Sequence, residues 1–350
     1  MRVDYLVVGA GIAGSVLARQ LLEMGKRVMV IDEPSLSNSS KVAGGLYNPI
    51  TGRKMVKTWN GDVLFEYLDG FYREWENDLD ESFFYSIPIY RPFFSIEEQN
   101  EWMAKSIEPA YIPYIAGIKQ KPFCEDEVQN PYGGILLNKS GYLDTATLLK
   151  SFRAYLVKSG LLLESQFNPN KLQKMGGNYT YEGIDFRHLV FCDGHLSTTN
   201  PWFSWLPYRP VKGELLFIKS SVMPRVIYNR GVFVIPLGSG MCKCGSTYDH
   251  GQLDEIPTIA AKSELIDRVK SLVNFDFEVI DQKAGIRPAT KDRKPFVGRH
   301  FEERNVWIFN GLGAKGVSLA PYYARQLALH MEENGALDDE VNIERFFSLF

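Results

Sequence analysis

The sequence lacks the features typical of membrane-spanning, disulfide-stabilised and nucleic-acid-binding proteins. Among its 350 residues there are four cysteines, too few for a disulfide framework in a chain of this length. No run of about 18 or more apolar residues occurs, so no transmembrane helix is predicted. The net charge of −3 argues against a basic nucleic-acid-binding surface over the whole molecule, although a local basic patch is compatible with it.

Targeting and metal-binding signals are also missing. The apolar run Val3–Val8 leads into glycines and an amphipathic helix and has no small-residue cleavage site, so we expect a cytoplasmic enzyme. Cys242 and Cys244 form a CxC motif, but no second CxxC or histidine cluster supplies further ligands, so no metal site is predicted. Together with Cys192 they fall in strand-like apolar runs, which favours buried free thiols.

What the sequence does contain begins with a strand, a glycine turn, a helix and a second strand. In this first glycine turn, Gly9 permits the tight turn, Gly11 lets a pyrophosphate approach the backbone, and Gly14 lets the helix pack on the sheet. The helix N-terminus then offers free N–H groups to phosphates. Asp32, at the end of the strand Val28–Ile31, is placed to accept from ribose hydroxyls. The order predicts dinucleotide binding, with a purely structural glycine turn as the alternative, and it does not say which dinucleotide binds.

The remaining pattern predicts an α/β (α+β) fold in which nucleotide-binding pieces bracket sheet-rich pieces. A helix is expected over 145–158, a strand over 180–191, alternating strands over 212–248, and a final strand and long helix over 306–333. We therefore predict a Rossmann-like domain assembled from the segments 1–75, 140–205 and 283–350. An antiparallel-sheet substrate domain would consist of 76–139 and 206–282.

Several separated motifs resemble the D-amino-acid oxidase superfamily, which includes glycine, sarcosine and D-amino-acid oxidases. The FAD domain of the bifunctional enzyme that completes aminomethyl-uridine at the tRNA wobble position is also similar. The motifs are Ser39-Ser40 with Ala43-Gly44-Gly45-Leu46 and Pro49 (the second segment), Gly141-Tyr-Leu-Asp144, Leu189 to Gly194, Pro210-Val-Lys-Gly213, Gly285 to Gly298, and Gly311-Leu-Gly-Ala-Lys-Gly316 (the last glycine loop). The resemblance implies FAD and hydride transfer from a C–N bond to flavin N5.

The resemblance also implies which residues contact FAD. They are Gly9, Gly11, Ile12, Ala13, Gly14, Asp32, Glu33, Ser40, Gly44, Gly45, Leu46, Lys54, Phe167, Cys192, Asp193, Gly194, Gly311, Gly313, Ala314, Lys315, Gly316 and Val317. Cys192 and Asp193 depart from the family's usual Ala-x-Gly, and a one-residue gap would move the role of Lys54 to Arg53. Gly285 stands where sarcosine oxidase has its flavin-linking cysteine, so noncovalent FAD is expected.

On the substrate side the resemblance assigns three cations. Arg287 would bind the substrate carboxylate through two parallel hydrogen bonds, unless it is a surface or flavin-phosphate arginine. Lys315 would add a second cation, unless it is an exposed loop lysine. Lys243 would assist the reduction of oxygen, unless it faces solvent from a half-exposed strand. Phe233 replaces a carboxylate-binding tyrosine of glycine oxidase, which puts glycine itself in doubt as the substrate.

Three functions are compatible with these residues. The first is oxidation of a small amine or amino acid, followed by imine hydrolysis and reoxidation of FAD by oxygen or another acceptor. The second is oxidative removal of a carboxymethyl group from a modified tRNA uridine, against which the acidic balance stands. The third is an FAD-bound protein without turnover, which the departures at Cys192, Asp193 and Phe233 motivate. No DNA partner is expected, and the sequence leaves the oligomeric state open.

Overall fold

The computed structural model describes residues 1–33, 39–52 and 54–350. The helices are α1 Ile12–Glu23, α2 Ser39–Val42, α3 Gly61–Leu79, α4 Ile96–Lys105, α5 Thr145–Lys158, α6 Ile259–Lys270 and α7 Gly316–Glu333. Short 3₁₀ helices cover Ile112–Tyr114, Pro169–Lys171, Gly194–Thr199 and Ile343–Leu349.

Strands make up most of the remaining regular structure. In the first half of the chain they are β1 Tyr5–Val8, β2 Val28–Ile31, β3 Leu46–Tyr47, β4 Ile50–Thr51, β5 Val56–Lys57, β6 Phe84–Ser86, β7 Ile89–Pro92, β8 Ile115–Lys119, β9 Gly134–Leu137, β10 Gly141–Leu143 and β11 Leu162–Leu163. In the second half they are β12 Gln173–Met175, β13 Asn178–Tyr181, β14 Ile184–Phe186, β15 His188–Phe191, β16 Val211–Lys219, β17 Ile227–Asn229, β18 Phe233–Gly238, β19 Met241–Gly245, β20 Glu278–Arg287, β21 Phe296–Arg299 and β22 Val306–Asn310.

A six-stranded sheet with the order β11-β2-β1-β15-β22-β21 forms one half of the molecule. Its strands are parallel except for the β21–β22 pair. The fully buried apolar side chains of β1, β2 and β15 are those expected of strands covered on both faces. Helices α1 and α7 pack against one another over one face, in a core that includes Val16, Leu17 and Leu327. The carboxyl ends of β1, β2, β15 and β22 therefore meet at one edge of the sheet.

An eight-stranded sheet, β20-β16-β19-β18-β17-β7-β9-β8, forms the other half and is antiparallel except for β17–β7. Its longest pair joins β16 to β20 and sets Val211 opposite Arg287 and Gly213 opposite Gly285. Helix α6 covers the far face, where Leu265 and Val269 share a core with Cys242 and Cys244. The cysteines Cys192, Cys242 and Cys244 are buried and free, as the sequence predicts.

Three smaller sheets, β3-β10-β6, β12-β13-β14 and β4-β5, complete the fold. The predicted fold class is confirmed, and the six-stranded sheet collects strands from segments far apart in the chain. The predicted helix over 145–158 matches α5 at both ends, with Asp144 as its N-cap. Helix α3 continues past residue 75 and β20 starts before residue 283, and the division into two domains stays a prediction. Across the described ranges, no helix has the length and apolar character needed to cross a bilayer.

Candidate flavin and substrate site

The first glycine turn leaves no room for side chains. Gly9 has a φ of +101°, and a Cβ built there would lie 2.6 Å from the carbonyl oxygen of Cys192. A Cβ on Gly14 would overlap the carbonyl oxygen of Gly9. Glycine is therefore required where the end of β1 passes β15 and where α1 rises from the turn.

The N-terminus of α1 is open to an anion. Gly11 caps the helix without a side-chain hydrogen bond, and no acidic residue lies in the first turn, which continues through Ile12 and Ala13. The backbone N–H of Ile12 donates to Ser40 Oγ at 3.0 Å, so the start of the second segment lies against this turn. Four backbone N–H groups at a helix start have no partner within the helix, and a phosphate is a suitable acceptor for them.

Asp32 is held from two sides. Its Oδ1 accepts from the backbone N–H of Ala10 at 2.9 Å, and its Oδ2 pairs with Arg153 Nη1 at 2.7 Å. Arg153 also pairs with Glu164 at 2.8 Å. Glu33, the next predicted contact, is half-buried. Sequence reasoning missed Arg153, because no spacing motif connects the middle of α5 to the end of β2.

The second segment brings the two halves of the molecule together. A Cβ on Gly44 would lie 2.6 Å from the ring of Phe233, which belongs to the eight-stranded sheet. Gly45 has a φ of +73°, and a Cβ there would overlap the carbonyl of Leu143. Leu46 is half-buried at the start of β3.

The lysines that follow the second segment lie near the surface. Lys54 is exposed, and its alternative Arg53 lies outside the described residues. Lys57 pairs with Asp62 at 2.6 Å.

The Cys192-Asp193-Gly194 turn is organised by the carboxylate of Asp193. That carboxylate accepts from Ser197 Oγ, from Asn200 Nδ2 at 3.0 Å and from Asn310 Nδ2 at 3.2 Å. Burial raises the pKa of Asp193, and the hydrogen bonds from Ser197 and Asn200 oppose that shift. Asn310 also donates to the carbonyl of Gly194 at 2.9 Å, so the ends of β15 and β22 are connected. Asp193 thus anchors an internal hydrogen-bond network at this turn.

The last glycine loop lies beside the first glycine turn. A Cβ on Gly316 would approach Ile12 Cγ2 to 3.0 Å, which places the start of α7 against the start of α1. Gly311 and Gly313 have φ values of +75° and +54°, so both require the left-handed region. Ala314 is exposed and Val317 is buried.

Lys315 is half-buried at the N-cap of α7. Burial and the positive charges of Arg293 and Lys294 lower the pKa of Lys315. The alternative of a fully exposed loop lysine is therefore wrong. Three cations lie together at this loop, and Lys294 is paired with Glu340 at 2.6 Å.

Arg287 ends β20 as a half-buried cation. Its Nη1 donates to the carbonyl of Thr247 at 3.2 Å and its Nη2 to Ser246 Oγ at 2.7 Å. Burial lowers the pKa of Arg287. Over the described part of the chain, no carboxylate forms an ion pair with it. Arg287 is thus neither a surface arginine nor the member of an internal salt bridge.

Lys243 is buried, so the alternative in which it faces solvent is wrong. Its Nζ donates to the carbonyl of Ala43 at 3.2 Å, and burial lowers its pKa. Along β16, Lys243 lies opposite Phe217 in the strand register, whereas the guanidinium of Arg287 lies over Gly213. Four residues of a strand span about 13 Å, so the two cations face different parts of the interface.

One further predicted contact, Phe167, lies beside β15. Phe167 stacks on Tyr181 with ring centroids 4.9 Å apart and also contacts Phe191, an apolar environment. His195, which follows Gly194, is half-buried in a 3₁₀ helix, and burial lowers its pKa. A surface groove of about 830 Å³ lies between the C-terminal halves of α1 and α7, at the end of both helices opposite the glycine turns.

The family description "FAD dependent oxidoreductase" (DAO) matches residues 4–329. The chain belongs to this family. FAD is therefore the cofactor, and the resemblance inferred from the separated motifs is confirmed.

Two of the relatives of the chain have different names. Glycine oxidase of Pseudomonas aeruginosa is 26% identical over 92% of this chain and 93% of its own length. The tRNA 5-methylaminomethyl-2-thiouridine biosynthesis bifunctional protein MnmC of Marinobacter nauticus is 23% identical over 92% of this chain, which spans 54% of that protein.

Solved structures share the fold over almost the whole chain. Glycine oxidase from Geobacillus kaustophilus superposes with a TM-score of 0.80 at 18% identity and covers 99% of this chain and 98% of its own. Iminodiacetate oxidase from Chelativorans sp. BNC1 gives a TM-score of 0.76 at 18% identity, with 98% of each chain covered.

Proposed function

We propose that this oxidoreductase acts on a C–N bond of a small amine or amino acid, and that Arg287 binds the substrate carboxylate. The observation that carries the proposal is the half-buried guanidinium of Arg287, which has two protein acceptors and no acidic partner in the described ranges. A half-buried cation without a counterion is costly, and a carboxylate matches the geometry of a guanidinium. Relatives named as glycine and iminodiacetate oxidases support a carboxylate-bearing amine.

The residues present fit FAD. The open N-terminus of α1 and the side-chain-free turn at Gly9 and Gly14 suit a diphosphate, and Asp32 suits a ribose. The start of α7 suits the flavin ring, because the positive end of a helix stabilises negative charge there. Held by these residues, FAD would supply a hydride acceptor for the C–N bond, with reoxidation by oxygen or another acceptor. We expect it to be noncovalent and to be released intact on denaturation.

The residues of this chain bind and orient the substrate. Arg287 holds the carboxylate, which fixes the α-carbon with its hydrogen towards the flavin. The amine binds in its neutral form, so its nitrogen lone pair assists loss of the hydride, and no general base is needed. The resulting imine is hydrolysed by water to a carbonyl compound and either ammonia, from a primary amine, or an amine, from a secondary one. Lys243 donates to the carbonyl of Ala43 and so holds the second segment against the eight-stranded sheet.

Anaerobic flavin bleaching tests this function. The panel contains amino acids, N-methyl amino acids, amines without a carboxylate and modified tRNA. With a carboxylate substrate, Arg287→Lys should slow bleaching about 10- to 150-fold, because a charged hydrogen-bond pair is lost, while FAD stays bound. Arg299→Lys, at an exposed arginine that ends β21, is the matched control.

Three outcomes contradict the proposal. Bleaching of Arg287→Lys at the wild-type rate would remove Arg287 from the active site. Loss of FAD from the variant would make Arg287 a cofactor or structural residue. A flavin that no member of the panel reduces would favour a protein without turnover.

A second candidate function is oxidation of a modified uridine in tRNA. The cation cluster of Arg293, Lys294 and Lys315 beside the last glycine loop favours it, and so does the relative MnmC. A tRNA substrate predicts binding that weakens steeply with salt, because lysine and arginine contacts to phosphates release counterions. Bleaching by modified tRNA that disappears in Arg293→Ala, while bleaching by small carboxylate-bearing amines does not occur in the wild type, would support this function over the first.

A further inference from the structure

The Arg287 guanidinium has two close neighbours. One is the backbone of Gly213, where a Cβ would overlap the guanidinium carbon and nitrogens. The other is the ring of Tyr248, with its centroid 4.6 Å from Cζ of Arg287. That distance is within the range of a cation–π interaction. The guanidinium thus contacts both a strand and an aromatic ring.

One edge of the guanidinium is also occupied. Ser246 Oγ and the carbonyl of Thr247 accept from its two terminal nitrogens. Thr247 is fixed in turn, because its Oγ1 accepts from the backbone N–H of Glu214 at 2.9 Å. With these neighbours in place and part of one edge occupied, a ligand can reach the cation along the rest of its edge.

Tyr248 has no structural requirement of its own that explains its position. Tyr248 is 65% exposed, and its ring has no aromatic partner in the described part of the chain. An exposed aromatic ring that contacts the buried cation of the proposed substrate site is placed to act on that cation. It covers one face of the guanidinium and separates it from water.

We propose that Tyr248 is a positioning and specificity-determining residue, which holds Arg287 flat on Gly213 so that a planar carboxylate binds edge-on. This rests on the proposed function of Arg287. A carboxylate in the guanidinium plane makes two parallel hydrogen bonds and contacts neither covering surface. A tetrahedral sulfonate or phosphonate carries oxygens out of that plane, towards the ring and the backbone. The site therefore distinguishes carboxylates from tetrahedral anions by shape.

The test compares Tyr248→Phe with Tyr248→Leu. Phenylalanine keeps the aromatic face, so KM for a carboxylate substrate should stay within about 2-fold of wild type. Leucine loses the cation–π contact, so KM should rise about 3- to 30-fold with kcat little changed. KM for an amine without a carboxylate should not change in either variant. Tyr132→Leu, at a partly exposed tyrosine remote from this cation, is the matched control.

A binding measurement tests the shape preference without turnover. Acetate and methanesulfonate are titrated into the oxidised holoenzyme and followed by the change in the flavin absorption spectrum. Wild type should bind acetate more tightly, and Tyr248→Leu should reduce that preference. In Gly213→Ala the new methyl group displaces the guanidinium, so acetate binding should be lost. The FAD content and the unfolding temperature of this variant show whether it is still folded.

The outcomes separate the two proposals. If Tyr248→Leu has the KM and anion preference of wild type while Arg287→Lys is impaired, the role of Tyr248 is wrong and the function of Arg287 stands. If Arg287→Lys is unimpaired, the proposed function fails first. An equal loss in Tyr248→Phe and Tyr248→Leu would overturn the aromatic-face argument, because the hydroxyl would then be the group that matters.

Discussion

Along the carboxyl edge of the six-stranded sheet the backbone forms the site, whereas on the eight-stranded sheet side chains form it. Gly9 and Gly14 act by having no side chain, and the start of α1 offers backbone N–H groups. On the other side, Arg287 and Lys243 approach the interface from β20 and β19, the two strands that flank β16. Glycine patterns are visible in a sequence, but side chains that meet across strands are not. The difference explains why the cofactor half was easier to infer than the substrate half.

The largest effect should come from filling the first glycine turn. Gly14→Ala places a methyl group on the carbonyl oxygen of Gly9, so α1 cannot pack as it does. We expect protein without bound FAD, or no folded protein, in a measurement of the flavin-to-protein ratio. Gly70→Ala in α3 is the matched control, because a Cβ there has no neighbour within 4 Å. It should stabilise the fold by about 0.5–1 kcal/mol.

If Gly14→Ala bound FAD fully, the bare backbone of the first glycine turn would not be what forms the FAD site. The comparison between the two halves would then fail.

Next in size is the removal of Asp32. Asp32→Ala deletes the acceptor that Ala10 and Arg153 now share and that a ribose hydroxyl would use. FAD affinity should fall about 10- to 150-fold, as expected for a hydrogen bond to a charged group, in titrations of apoprotein followed by flavin fluorescence. Asp69→Ala, on the surface of α3, is the control, and an unchanged Kd for Asp32→Ala would show that Asp32 is not the ribose ligand.

A smaller effect, on stability, is expected from replacing Asp193. Its side chain forms hydrogen bonds at the carboxyl edge of the six-stranded sheet, where the backbone forms the site. In Asp193→Asn the amide nitrogen would face the donors of Asn200 or Asn310, which leaves a buried donor unsatisfied. The free energy of unfolding should fall by about 1–3 kcal/mol in urea titrations. Asp339→Asn, at an exposed carboxylate, should have no measurable effect. Equal stability of Asp193→Asn and wild type would mean that the network is not needed to join β15 to β22.

The smallest effect concerns Lys243 and depends on pH. Burial lowers its pKa in the folded state, so between that pKa and the usual value of 10.5 the unfolded chain binds more protons. The contribution of Lys243 to the free energy of unfolding therefore rises with pH between its folded-state pKa and 10.5. Lys243→Met should be more stable than wild type at neutral pH, by about 1 kcal/mol, with a difference that shrinks as the pH approaches 10.5. Thermal unfolding across that range measures it, and Lys270→Met, at an exposed lysine in the last turn of α6, is the control.

A Lys243→Met variant that is less stable than wild type at neutral pH would reverse this argument. The hydrogen bond to Ala43 would then outweigh the burial of the charge.

Local patterns in the sequence determined the elements and the glycine motifs. The strand and helix around Gly9 to Gly14, the helix over 145–158 and the last glycine loop depend on residues close together in the chain, where periodicity and glycine positions carry the information. Membership of the family followed from the order of these motifs.

The tertiary structure alone decided which side chains meet. The pairing of Arg153 with Asp32 joins α5 to β2, and the network of Asp193 with Asn310 joins β15 to β22. Tyr248 reaches Arg287 because β16, β19 and β20 are neighbours in one sheet, although they are separated in the sequence. Whether Lys243 is buried or exposed was also undecided until the second segment was seen to cover it. Such contacts depend on strand order and register, which no local pattern encodes.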